Sequence, residues 1–157
     1  MDNSNSDKCI TFEEWIYDDD KIIFPYEDYR IIGDMTELDK VVNTCGFINL
    51  NVADITSVLS TETANYVSVG FGEGMDGFVG AMKDAWSKLP VGIDGISRML
   101  VNIWISKSYV WSKHVCGAYS DYLVKDIPSD MYYISGFAYD ESLHKNQVKV
   151  SLIASSK

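Results

Sequence analysis

Hydrophobic residues recur every three to four positions in four parts of the chain, and this spacing predicts helices there. The strongest pattern covers residues 75–89, where seven hydrophobic side chains share one face and Pro90 follows the end. A second amphipathic helix is predicted over residues 111–127. Two shorter helices are predicted, one from a cap at Asp34 or Thr36 to Gly46, and one from Asp54 to Leu59.

Between these helices, four segments have the composition of buried strands. They are residues 65–71, 98–105, 131–139 and 147–154. A helix between strands predicts a right-handed parallel crossover, whereas the short polar turn before the last strand predicts an antiparallel hairpin. The fold class expected is therefore α+β, with a mixed four-stranded sheet and helices on one face. Between helix and sheet we expect four buried side chains, those of Phe78, Met82, Trp86 and Leu100.

The first 33 residues differ in composition from the rest of the chain. They carry nine acidic and three basic residues, a balance of −6 out of the net charge of −10. This predicts an acidic segment over residues 1–33 and a domain over residues 34–157. The acidic run at residues 18–20 lacks the alternation of a calcium loop and is predicted to be a solvated turn. Because hydrophobic residues follow it, a short strand ending at Pro25 is predicted, and residues 10–32 are expected to pack on the domain.

Charge, cysteine spacing and hydropathy argue against several kinds of partner, site and location. An acidic chain without a basic stripe is repelled by phosphate backbones and by anionic lipid surfaces, so neither nucleic acid nor membrane is expected as a partner. Cys9, Cys45 and Cys116 lie far apart in the sequence, and no CxxC spacing indicates a metal site or a redox pair. No apolar run approaches the length of a membrane span, and the first residues do not resemble a secretory signal. The sequence predicts a cytoplasmic protein without a metal site.

A glycine-rich turn from Gly72 to Gly77 matches the pattern GxGxxG between a strand and a helix. In that position glycines can admit a pyrophosphate to a helix N-terminus, or they can simply allow a tight turn with close packing. Glu73 and Asp76 place carboxylates where phosphates would lie, and the next strand ends at Lys107 rather than at an acid that could bind a ribose. We therefore expect no appreciable binding of GTP or NAD, and no cofactor is predicted.

Four segments in order resemble the C-terminal domain of the FtsZ/tubulin superfamily. GFINLNVADI at residues 46–55 is similar to the FtsZ synergy loop. GFGEG at 70–74 looks like the family's glycine-rich turn, and LVNI at 100–103 stands where the family has LLNI. DESL at 140–143 and VKVSLIA at 148–154 resemble the closing motifs. The phosphate loop GGGTGTG of the GTPase half does not occur in the sequence, so the resemblance implies a lone domain without catalytic activity.

In FtsZ, the synergy loop enters the nucleotide pocket of the neighbouring subunit, where its acids orient the attacking water. The resemblance assigns this binding role to Asn49, Asn51 and Asp54, with Asn51 in place of the loop's first acid. An asparagine accepts a hydrogen bond but is not a base near neutral pH. Asp54 has two interpretations, a base acting on water or a helix cap, and both asparagines could serve only as turn formers.

Three hypotheses of function follow. The first is a non-catalytic module that binds or caps an FtsZ-like filament in cell division, or that self-associates. The second is half of a GTPase site that supplies Asp54 in trans, and the third is a small-molecule binder at the Gly72–Gly77 turn. No catalytic residue is predicted, since His114 and His144 have no nucleophile arranged around them and are expected on the surface. The bulky aromatic residues are expected in the core and at its rim, and an exposed cluster would indicate a protein interface; the set comprises Trp86, Trp104, Trp111, Tyr132 and Tyr133.

Overall fold

The computed structural model describes residues 17–18, 21–22, 24–44, 46 and 50–157. Within these residues the chain forms seven strands and four α-helices. The strands are β1 Tyr17–Asp18, β2 Lys21–Ile22, β3 Ile31–Gly33, β4 Asn65–Glu73, β5 Ile96–Ile105, β6 Tyr132–Tyr139 and β7 Gln147–Ser156. The helices are α1 Met35–Asn43, α2 Val52–Val58, α3 Gly77–Ser87 and α4 Lys113–Asp126.

Five of the strands form one mixed sheet in the order β3-β4-β7-β5-β6. Strand β7 runs antiparallel to both β4 and β5, while β3 pairs in parallel with β4 and β6 in parallel with β5. The predicted α+β class with a mixed sheet is confirmed. The sheet has five strands rather than the predicted four, because Ile31–Gly33 adds a short edge strand beside β4.

The predicted hairpin of the last two strands is wrong. Strand β7 lies between β4 and β5 and does not pair with β6. Its residues from Val148 to Ser155 are all buried, whereas both ends of β6 are exposed. A strand with this much apolar surface gains most at the centre of the sheet, where both of its faces are covered, and this gain overrides the local preference of a short polar turn.

Helices cover both faces of the sheet, not one face as predicted. Helices α3 and α4 pack on the face that carries Met99, Val101 and Ile103, and α1 and α2 pack on the opposite face with Leu100 and Trp104. Alternate residues of a strand point to opposite faces, and β5 is apolar on both, so both faces require cover.

The expected core residues divide between these faces. Phe78 and Met82 are fully buried where α3 faces the sheet, whereas Leu100 is fully buried on the other face of the sheet. Trp86 is only partly buried against the α3 side of the sheet. Met75 lies in a 3-10 turn before α3 and is exposed, so the helix is shorter than residues 75–89.

Near the N-terminus, β1 and β2 pair antiparallel, with Asp18 opposite Lys21. Phe24 is buried, and its ring contacts those of Tyr26 and Tyr29. These residues and β3 therefore pack on the sheet and α1, as expected for this part of the segment. Residues 10–16, 19, 20 and 23 of the same expectation lie outside the described residues, and the division of the chain at residue 34 stays a prediction.

Candidate functional site

The segment that resembles the synergy loop, residues 46–55, leads into α2, and its described residues are Gly46 and residues 50–55. Asn51 is the N-cap of α2: its Oδ1 accepts a hydrogen bond from the Asp54 backbone N at 2.9 Å. The Asp54 Oδ2 accepts one from the Asn51 backbone N at 3.0 Å. This reciprocal capping box satisfies two backbone donors at the helix start. The predicted cap at Asp54 is therefore one half of a pair in which Asn51 is the N-cap.

Apolar anchors on both sides of this capping box fix its position. Leu50 precedes it and Ile55 follows it, and both are buried in the cluster between α2 and the sheet. At the far end of α2, Arg98 Nη1 donates to the Ser57 carbonyl at 2.9 Å, which ties the helix to the start of β5. Gly46 passes so close to β6 that a Cβ there would lie 2.2 Å from the Phe137 carbonyl oxygen. Only glycine allows this approach.

The capping box limits the chemistry of the site. Asn51 and Asp54 are both partly exposed, and the capping box holds them next to each other; the binding role that the resemblance assigns to them stays a prediction. One carboxylate oxygen of Asp54 holds the loop, while its second oxygen keeps the capacity to accept a further hydrogen bond. Asn49 lies outside the described residues, so its place in the site stays a prediction.

Beneath α1, which leads to this loop, lies a buried polar network that the sequence analysis missed. Lys149 Nζ donates to Glu37 Oε1 at 3.0 Å, and Ser151 donates to the other carboxylate oxygen of Glu37. Trp104 Nε1 donates to the Ser151 Oγ at 2.7 Å. Glu37 and Lys149 are less than a tenth exposed, so this pair fixes the position of α1 on the sheet. The available signal was a lysine within a strand whose other residues are mainly apolar, since a buried charge requires a partner.

A second ion pair joins α1 to the turn after β6. Lys40 Nζ lies 2.8 Å from Asp140 Oδ2. Burial alone would raise the pKa of Asp140, but the hydrogen bonds from Lys40 and Ser142 outweigh it and lower the pKa to about 2. Burial acts to lower the pKa of Lys40, and the pairing with Asp140 overcomes this and raises it. Asp140 begins the DESL motif, so this motif has a structural role here.

The glycine-rich turn is shaped by close packing. A Cβ at Gly72 would lie 2.1 Å from the Gly77 carbonyl oxygen, and one at Gly77 would lie 2.8 Å from Val148. Gly74 has a φ of 79°, which favours glycine. Both histidines are more than half exposed, as expected, and each pairs with an acid of this turn: His144 with Glu73 at 2.5 Å and His114 with Asp76 at 3.7 Å.

The aromatic residues singled out from the sequence divide among core, rim and surface. Trp104 is buried, Trp86 and Tyr133 are partly buried, and Trp111 and Tyr132 are exposed. The Tyr132 hydroxyl lies 3.2 Å from the Ser57 Oγ, so it contacts the C-terminal part of α2. In the described part of the chain, no three His, Cys, Asp or Glu residues are grouped to hold a metal, and none of the helices is long and apolar enough to cross a membrane.

Solved structures that share this arrangement of helices and strands include FtsZ and TubZ chains. A point mutant of FtsZ from M. jannaschii matches with a TM-score of 0.60 and 20% identity, over 76% of this chain and 36% of that one. An empty FtsZ dimer from M. jannaschii matches with a TM-score of 0.57 and 21% identity, over 76% and 35%. The chain has the fold of the FtsZ C-terminal domain. TubZ of Bacillus thuringiensis serovar israelensis, in GDP-form protofilaments, matches with a TM-score of 0.51 and 10% identity, over 78% and 34%.

The FtsZ-type fold confirms the structural part of the resemblance that four short motifs carried. No protein-family model and no curated protein sequence matches the chain. The chain spans about a third of the length of the FtsZ and TubZ chains it matches. The comparison therefore establishes the fold, and the loop before α2 is the part of this FtsZ-type domain for which a function can be proposed.

Proposed function

We propose that this chain is a non-catalytic, FtsZ-like interaction module that binds and caps an FtsZ-like filament. The observation that carries the proposal is the capping box, which presents Asn51 and Asp54 together at the start of a helix in an FtsZ-type domain. Asn51 and Asp54 are held by two reciprocal hydrogen bonds between buried neighbours, so this pair loses little conformational freedom when it binds. Such preorganisation suits a docking element.

The partner that this proposal requires is FtsZ or an FtsZ-like protein in the cytoplasm, acting in cell division. The solved relatives include an FtsZ dimer and TubZ protofilaments, so domains of this fold occur in proteins that assemble. The net charge of −10 argues against nucleic acid as the partner. A subunit that joins a head-to-tail filament through one end and offers no nucleotide pocket at the other stops further growth.

Asparagine at position 51 provides the direct test of the loop's role. Aspartate is an equally good N-cap, so Asn51→Asp should keep the fold while it restores a carboxylate. The experiment measures phosphate release by FtsZ from the same organism in the presence of GTP. We expect the wild-type chain to reduce this release, and we expect the release to be partly restored when Asn51→Asp is added instead. Asn146→Asp adds the same charge at an exposed position outside the loop and should behave as wild type. Equal phosphate release with both variants would contradict the role of this loop.

A second candidate function is supported by the second carboxylate oxygen of Asp54. In this alternative, the chain supplies Asp54 in trans to orient water at the GTP of a partner. Wild-type chain would then raise phosphate release, and Asp54→Asn would abolish the increase. The direction of the wild-type effect separates the two functions, since a cap lowers the release of phosphate and a half-site raises it.

A further inference from the structure

An aromatic cavity lies on the α4 side of the sheet and plays no part in the proposed docking loop. It has a volume of about 400 Å³, within the range of small-molecule sites. Its lining is mainly apolar and aromatic, and it includes Ile105, Tyr109, Trp111, Tyr119 and Phe137. The cavity is therefore large enough for a molecule of two fused rings.

The position of the cavity follows from the chain path. Strands β5 and β6 are parallel, so their carboxyl ends, Ile105 and Tyr139, lie at the same edge of the sheet. The segment between β5 and α4 leaves the sheet there and passes over the edge before α4 returns. Crevices outside the carboxyl ends of parallel strands are the places where open sheets containing helices bind ligands.

The rings around the cavity pack edge to face and leave apolar surface open. Trp111 and Tyr119 both contact Phe137, with ring centroids 5.3 Å and 5.8 Å away and planes at 80° and 77°. Trp111 is nevertheless 40% exposed and Tyr139 is 45% exposed. Large aromatic side chains that line a concave site while half in water can bury further surface against a flat apolar molecule.

The polarity of the cavity favours an anion. Lys107 is the charged residue among those that line it, and its Nζ lies 5.7 Å from the centre of the Tyr139 ring. Glu141 accepts a hydrogen bond from the Lys107 backbone N at 3.0 Å, which holds this turn in place. Lys107 is exposed in a chain of net charge −10, so it provides a local positive charge beside an apolar cavity.

We propose that this cavity binds a small planar aromatic molecule that carries a carboxylate. The ring system lies against Trp111 and Phe137, and the carboxylate pairs with Lys107. This site does not depend on the proposed filament contact, since it uses none of the residues of the loop before α2.

Naphthoate and its neutral analogue naphthamide are suitable probes, measured by calorimetry with the full chain. We expect saturable binding of naphthoate and weaker binding of naphthamide. Lys107→Met should lower the affinity for naphthoate about tenfold, as the loss of one charge-assisted hydrogen bond does, and leave that for naphthamide unchanged. Lys125→Met removes a charge from the far end of α4 and should change neither affinity. Equal affinities for the two probes, or an unchanged naphthoate affinity in Lys107→Met, would overturn the proposal.

Cys116 gives a second readout, because its exposed thiol lines the same cavity. Bound naphthoate should slow the alkylation of Cys116 by iodoacetamide, followed by mass spectrometry of its peptide. Trp111→Ala should weaken both the binding of naphthoate and this protection, with circular dichroism used to confirm that the variant is folded. Alkylation of Cys116 at the same rate with and without saturating naphthoate would place the probe elsewhere and contradict the assignment.

Discussion

Lys149 is a charged residue near the centre of the sheet, and its surroundings show how single residues fix the position of α1. Its Nζ lies 3.0 Å from the Glu37 carboxylate and 5.5 Å from the centre of the Trp104 ring. Ser151 shares the same carboxylate. Together these contacts set one register of α1 on β7, because any sliding of the helix would leave a buried charge without its partner.

This register predicts a marked non-additivity between the two charges. Lys149→Met leaves the Glu37 carboxylate buried without its cation and should lower the free energy of unfolding by about 3–5 kcal/mol. The double variant Glu37→Leu with Lys149→Met removes both charges and should recover most of that loss. Urea unfolding followed by circular dichroism measures the two single variants, Glu37→Leu and Lys149→Met, together with the double variant. A double variant whose loss equals the sum of the two single losses would show that the pair is not coupled.

Asp140 makes a separate prediction about pH. Its folded pKa is about 2 against an ordinary value of 3.8. The hydrogen bonds from Lys40 and Ser142 to the Asp140 carboxylate therefore stabilise the fold fully above pH 3.8, and their contribution is lost as the pH falls towards 2. After allowance for solvent at this partly exposed pair, the contribution is about 1 kcal/mol.

Asp140→Asn provides the comparison for this effect. At neutral pH the variant should be less stable than wild type by that amount, and the difference should shrink as the pH falls from about 4 to about 2. Unfolding in urea at a series of pH values measures the difference directly. A gap between wild type and variant that stays constant over this interval would contradict the assigned ion pair.

The position of strand β7 along the chain was predictable from the sequence, but its neighbours in the sheet were not. Its place along the chain and most of its length were predictable, because its apolar run and the flanking polar turn are local features. Its neighbours were not, since a short turn favours a hairpin with β6 and only the burial of all residues from Val148 to Ser155 shows a central position. Pairing depends on competition among strands for the centre of the sheet, which no local pattern records.

Helix α3 packs closely on β4 because Gly72 of β4 has no side chain where the two elements meet. A Cβ at Gly72 would lie 2.1 Å from the Gly77 carbonyl oxygen and 2.8 Å from the Ala81 backbone N. Gly80 lies within α3 itself, where a Cβ would come no closer than 3.8 Å to the Gly72 Cα. The two glycines therefore differ sharply in what they tolerate.

We expect Gly72→Ala and Gly80→Ala to have opposite effects. Gly72→Ala forces α3 away from the sheet and should destabilise the fold by about 2 kcal/mol or more. Gly80→Ala should stabilise it by about 0.5–1 kcal/mol, because alanine is the better helix former. Thermal unfolding of the two variants measures the effects. A neutral Gly72→Ala would mean that the contact between α3 and β4 is looser than described.

For the molecule as a whole, the motifs predicted more of the fold than of the site. Four motifs in order were enough to identify the FtsZ-type domain, because each lies in a segment whose position the fold constrains. The sequence shows that β5 is apolar on both faces. That helices cover both faces follows only from the position of β5 inside the sheet, between β7 and β6. The capping box joins Asn51 and Asp54 at a spacing of three residues, which is a local signal. The aromatic cavity joins β5, α4 and β6, so only the assembled fold brings it together.

The length of filaments tests the central claim most directly. FtsZ from the same organism is assembled with GTP while the wild-type chain is added from substoichiometric to equal ratios, and filament lengths are measured by electron microscopy. We predict that filaments shorten already at substoichiometric ratios, because each bound chain blocks one growing end, and that the chain sediments with them. Filaments of unchanged length, with the chain left in the supernatant at every ratio, would contradict the proposed capping function.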